Sequence, residues 1–201
     1  MTSLLHIDNE LTAWESNLPS NWHYRVVLCS PDEKFYGTSY YIYLSYWNAT
    51  VWREYFTIRM ILTSLENTLS LSIDSNNTEF RRHHHYTLHI HQKVCTDVCA
   101  SAPYFLGRVN DAPVLNRSLG GYHFLWIVFV CACMPLISNS QRLWAIEQLE
   151  KIGHSLWIRL ALLLTDIMRS RGSLIYRENS SAKSLQNLAL YKYILSNLFT
   201  R

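Results

Sequence analysis

Apolar side chains recur at spacings of three and four over long stretches of this chain, and a run of that kind buries itself most readily as one face of a helix. The strongest such run falls in residues 40–70. Trp47, Val51, Tyr55, Ile58, Leu62 and Leu65 step by four, four, three, four and three. The spacing predicts a helix with these six on its buried face and with Arg53, Glu54 and Arg59 on other faces. The preceding Tyr40-Tyr41-Ile42-Tyr43-Leu44 has the aromatic and β-branched content of a strand. No breaker separates it from the helix, so helix is expected throughout.

The same reading applies along the rest of the sequence. Leu4, Ile7, Leu11 and Trp14 predict a first helix over 5–14, stopped by Pro19. Pro31, Asp32 and Gly37 mark a loop over 30–37, and residues 74–79 form a polar break. A helix is expected to resume near Tyr86, run through Cys99 and end at Pro103. Residues 110–121, with Pro113 and Gly120-Gly121, read as a loop. An apolar helix follows over 122–134. Residues 139–171 predict one or two helices from the stripes Leu143, Ile146, Leu149, Ile152 and Leu156, Leu160, Leu163, Ile167. Gly153 marks the break and Gly172 the stop. No internal repeat is present. The expected fold is all-α: an array of antiparallel helices with loop connections and no sheet. Residues 1–171 would form the domain and 172–184 a polar linker. Residues 185–201 would hold a last amphipathic helix packed on the same domain.

Apolar residues make up 49% of the 201 and charged residues 16%, a balance that folds rather than staying disordered. The formal charge of +3 is too small for a dedicated nucleic-acid surface. Arg81-Arg82 before His83-His84-His85 is short and reads as a solvated loop. Fourteen uncharged residues at 124–137 (FLWIVFVCACMPLI) fall short of the roughly 20 that span a bilayer and read as a core helix. Five cysteines, an odd and irregularly spaced set, are expected to be free thiols in a reducing compartment, because residues 1–9 lack the pattern of a secretory signal. The Asn-x-Ser/Thr matches at Asn48, Asn76, Asn116 and Asn179 then carry no meaning.

Metal chemistry has one candidate. His83, His84, His85, His89, His91, Cys95 and Cys99 lie close in sequence, and His91, Cys95 and Cys99 are four apart, on one helix face. No Cys-x2-Cys knuckle accompanies them, and solvated histidines are the favoured reading, so no metal ligand is assigned. Cys131 and Cys133, two apart on a helix, point about 200° apart and cannot share a ligand site. They read as small core residues. Phosphate-binding and nucleophile motifs are missing: Leu119-Gly120-Gly121 has no following Lys, and His154-Ser155 are neighbours in sequence only. Asp8, Asp97 and Asp166 fall on amphipathic helices, where caps and solvated faces are the default. No catalytic or cofactor-binding residue is expected, and the chain is not expected to be an enzyme.

Three segments together resemble the regulatory domain of fungal zinc-cluster transcription factors. The first holds Trp14, Leu18-Pro19, Trp22 and Tyr24, then Trp47, Ala49, Trp52, Tyr55, Arg59 and Leu62. The second is Ser101-Ala102-Pro103-Tyr104-Phe105-Leu106-Gly107. The third joins Gly120-Gly121-Tyr122 and Leu125-Trp126 to Arg142, Trp144, Ile146, Gln148-Leu149 and Ile152-Gly153. Order and spacing agree over residues 4–164. Ile127 stands where the family usually has Pro, and Phe56 where it often has Arg. The six-cysteine zinc module has no counterpart, so the chain is either part of a longer regulator or a relative without that module. The resemblance implies a helical, nuclear domain that regulates transcription through protein partners, a homodimer or a small-molecule effector. It implies no catalytic residues. Direct specific DNA binding and membrane insertion are not expected.

Overall fold

The computed structural model describes residues 2–30, 35–70, 78–109, 117–134 and 136–175. Within them the fold is mainly α. Six helices run in order: α1 (Thr2–Ser16), α2 (Tyr46–Ser70), α3 (Thr78–Phe105), α4 (Arg117–Cys133), α5 (Asn139–Leu156) and α6 (Arg159–Ile175). Each helix touches the next in sequence. α3 is central and contacts α2, α4 and α5.

Between α1 and α2 lies a feature the periodicity did not predict. β1 (Arg25–Leu28) and β2 (Ser39–Ile42) pair antiparallel, with Arg25 opposite Ile42 and Val27 opposite Tyr40. Residues 39–42 are therefore strand, and the helix begins only at Tyr46. Strand propensity wins because a partner strand more than ten residues away takes up the backbone hydrogen bonds, and a helix-face argument does not look that far. The strand also lays Tyr40, Tyr41 and Ile42 against α3, buried.

The buried face of α2 differs from the predicted stripe. Trp47 and Ile58 are exposed, whereas Ala49, Trp52, Tyr55, Phe56, Met60 and Thr63 are buried. Arg59, expected to face elsewhere, is interior and pairs with Asp8 of α1 at 2.5 Å. The stripe counted apolar residues only. The true face includes a cation that α1 neutralises, and the row turns by about one residue as a result.

Glycine and proline act differently from expected. Pro103 sits inside the last turn of α3 rather than ending it. The stop is Gly107, with φ of 60°. Gly107 N–H donates to Tyr104 O at 3.1 Å and Arg108 N–H to Pro103 O at 2.8 Å, a Schellman closure that needs the left-handed residue. Gly120 and Gly121 are inside α4, not in a loop. A Cβ on Gly121 would fall 2.1 Å from Leu156 Cδ1. Gly153 likewise does not break the chain: it lies within α5, where a Cβ would meet Leu162 Cδ2 of α6 at 2.4 Å. The break comes at Trp157, which has φ of 59° and is 89% exposed. Gly172 lies within α6, which continues to Ile175, so the expected polar linker at 172–184 is helix in its first residues. α5 starts on a capping box: Ser138 Oγ accepts from Gln141 N–H and the Gln141 side chain accepts from Ser138 N–H. The predicted helix over 185–198 lies outside the described residues.

Candidate functional site

The buried polar groups of α3 are the most concentrated chemistry in the fold. Along one side of the helix, His91, Cys95, Asp97 and Ser101 are all interior. Their partners come from three other elements. Tyr41 Oη donates to Asp97 Oδ1 at 2.7 Å, and Lys93 Nζ holds Asp97 Oδ2 at 2.9 Å. Ser101 Oγ donates to Asp97 O at 2.8 Å, so the 2.7 Å contact between Tyr43 and Ser101 must be donated by Tyr43 Oη. Burial and the nearby Asp97 carboxylate push the Tyr41 phenol far above its ordinary value, and burial does the same to Tyr43. Neither phenol gives up its proton near neutrality, so both serve as fixed donors.

Donor counting also sets the His91 tautomer. The Thr63 hydroxyl donates to Arg59 O at 2.8 Å and lies 2.9 Å from His91 Nδ1. Its one proton is committed to the carbonyl, so Nδ1–H donates to Thr63 Oγ1. Nε2 is buried and without a hydrogen-bond partner among the described residues. Cys95 and Cys131, facing each other across the α3–α4 contact, are both fully buried. The Cys131 thiol donates toward Cys95, and this lowers the Cys95 thiol against the opposing effect of burial. That hydrogen bond and burial raise Cys131. Burial raises Cys99 as well.

The structure buries His91, Cys95 and Cys99 of the predicted cluster, with Cys99 close enough to Cys95 to feel its charge, and leaves His85 and His89 outside. The histidines lie inside α3, not at a loop entry. His85 and His89 are exposed, and His83 Nε2 is 3.9 Å from Glu66 Oε2. Among the described residues no three His, Cys, Asp or Glu side chains are arranged so as to hold a metal ion. Sequence reading missed Thr63 and Cys131 as the neighbours of His91 and Cys95. Nothing in local spacing signals a contact between helices 28 or more residues apart. Asp8 and Asp97, expected as caps or solvated groups, are instead buried partners of Arg59 and Tyr41.

Aromatic rings join these polar contacts to α1. Trp14 packs edge-on to Trp52 at 5.6 Å and stacks on Tyr55 at 5.2 Å. Tyr24 stacks on Tyr41 at 4.0 Å. Trp52 Nε1–H donates to Trp22 O at 2.8 Å, and Tyr55 Oη to Glu15 Oε2 at 2.6 Å. With the Trp52 and Tyr55 tips satisfied, the cluster fixes α1, β1 and α2 against one another.

Comparison with protein-family models, curated proteins and solved structures finds no match to this chain. Among the described residues no helix is long and apolar enough to cross a membrane; α4 carries the uncharged run and is buried in the core instead.

Proposed function

We propose that the chain is a regulatory domain of a fungal transcription regulator, acting in the nucleus through a protein partner or small molecule and without catalysis of its own. The observation supporting this is where the residues behind the resemblance lie. Trp14, Trp22, Trp52, Tyr55 and Arg59 make the α1–α2 contact. Ser101, Tyr104 and Gly107 carry the β2–α3 contact and the end of α3. Gly121, Arg142 and Gly153 set the close approach of α4, α5 and α6, with the Arg142 guanidinium donating to Ala132 O and Met134 O at the end of α4. Residues of this kind, shared in order with the family, are used here to build a scaffold. His91, Cys95 and Cys131 are sealed inside it, where a substrate has no approach. A metal-dependent reading has no comparable support.

Tethering tests the proposal. The full chain, fused to an unrelated DNA-binding domain in a fungal reporter strain, is expected to change reporter output several-fold. Arg59→Ala, which loosens the core, should abolish the change. A fusion that accumulates in the nucleus, folded, and leaves the reporter at the level of the DNA-binding domain alone would remove the regulatory reading.

A further inference from the structure

Between the C-terminal ends of α3 and α5 lies a cleft of about 300 Å³, at the lower end of the range for small-molecule sites. Leu106, Ile152 and Leu156 form its apolar wall, and Arg108, Lys151 and Ser155 supply its polar groups. All the charged side chains named there are cations, yet the two are not equivalent. Lys151 Nζ is 2.6 Å from Glu147 Oε1, an exposed pair one helical turn apart. Arg108 reaches a neutral partner, the Gln148 side-chain oxygen, at 3.2 Å, and among the described residues no carboxylate lies within ion-pair distance of it. Surrounding protein displaces part of the water around its guanidinium and lowers its pKa, with Glu147 giving a smaller opposing effect.

A cation at a helix C-terminus often serves the last carbonyls. Here that duty is already met: Ala102, Pro103 and Tyr104 accept from the backbone N–H of Leu106, Arg108 and Gly107. Arg108 is exposed, so its remaining guanidinium donors face solvent at the edge of the apolar wall, where the planar fork of the side chain suits a carboxylate.

We propose that this cleft binds a small organic anion with an apolar body, its carboxylate on Arg108 and its hydrocarbon against Leu106, Ile152 and Leu156. Ser155 offers a further hydroxyl donor, and Glu147 opposes the ligand's charge. The assignment deepens the regulatory reading and rests on it for its purpose, whereas binding itself is measured on the purified chain.

The probe is 2-naphthoate, compared with its neutral carboxamide by titration calorimetry on the full chain near pH 7.5. Saturable binding of the carboxylate is expected, with the carboxamide about tenfold weaker or worse, as the loss of a charged hydrogen bond requires. Arg108→Met should weaken 2-naphthoate by a similar factor and leave the carboxamide unchanged. Glu147→Gln, a change at an exposed position, should tighten 2-naphthoate by about threefold; it keeps the test decisive if Arg108→Met fails to fold. Equal affinity for acid and amide, no effect of both substitutions, or no saturable heat up to roughly 5 mM ligand would overturn the proposal. The tethered reporter is scored separately. Binding with a silent reporter leaves the cleft and removes the regulatory reading; an active reporter without binding does the reverse.

Discussion

The half of the molecule built from α1, the two strands, α2 and α3 packs differently from the half built from α4, α5 and α6. In the first, large rings meet and four polar tips have a named acceptor, Trp52 on Trp22 O, Tyr55 on Glu15, Tyr41 on Asp97 and Tyr43 on Ser101, while the Tyr46 and Tyr104 hydroxyls are buried without one among the described residues. A buried ion pair, Arg59 with Asp8, sits at its seam. In the second, Leu125, Val128, Leu149, Ile152 and Leu164 fill the interior with few polar partners, and two glycines bring the backbones close. Directional contacts between buried groups dominate one half, and close apolar packing dominates the other, where Arg142 and the Arg169–Glu150 pair are the main polar links. The two should therefore fail in different ways when perturbed.

The largest effect is expected at the seam. Arg59→Ala leaves the Asp8 carboxylate buried beside the space once filled by its cation, a loss of about 3–5 kcal/mol in urea denaturation. The double change Arg59→Met with Asp8→Leu removes both charges and refills the volume, and should recover more than half of that loss. Recovery below a quarter would mean that the pair is needed for more than mutual neutralisation, through the contacts of the same guanidinium with the Asp8 backbone carbonyl and the Thr12 hydroxyl.

In the aliphatic half the sign of an ordinary rule should invert. Gly→Ala inside a helix stabilises by up to about 1 kcal/mol. Gly153→Ala is expected instead to destabilise by about 1–3 kcal/mol, because its Cβ would lie 2.4 Å and 2.6 Å from Leu162 side-chain atoms and 3.3 Å from the Leu162 backbone nitrogen, which cannot turn aside. Gly121→Ala meets only the tip of Leu156 closely and should cost less, since that methyl can rotate away. Thermal denaturation of the two variants side by side checks the order. A neutral Gly153→Ala would show that α6 moves freely on α5 and that shape does not fix this half.

The same contrast explains what was legible in the sequence. Helical spacing placed a helical stretch over each of the six helices among the described residues, leaving open whether 139–171 was one helix or two, because a 3.6-residue period is a local property. It misread faces where a buried residue was polar: Arg59 and Thr63 belong to the interior of α2, and a count of apolar positions passes over them. It missed the strand pair because the partner of Tyr41 is Val26, beyond any helical window. Gly121 and Gly153 read as loop and break because glycine signals both, and close packing of one helix on another leaves no mark in local spacing. The His/Cys cluster was legible in composition but not in arrangement: α3 points His91 and Cys95 inward and His85 and His89 outward.

The smallest effect concerns Glu66, near the end of α2, and tests whether the polar half tolerates an incompletely paired group. One carboxylate oxygen accepts from Thr87 Oγ1 at 3.2 Å, while the other is buried without a partner among the described residues. Burial, followed by the Asp8 charge, raises its pKa above 4.5. Below pH 4.5 the folded and unfolded chains both hold the proton. As pH rises past that value the unfolded chain releases it first, so this group's contribution to stability falls until the native carboxyl also ionises. Glu66→Gln removes the ionisation and keeps the shape. The variant should match the parent near pH 4 and exceed it by on the order of 0.5 kcal/mol at pH 8. Urea denaturation of both proteins from pH 4 to 8 gives the difference curve. A parent that gains stability over the variant as pH rises would mean that His83 and Arg59 outweigh the burial of this carboxylate, and that Glu66 is effectively paired in the fold.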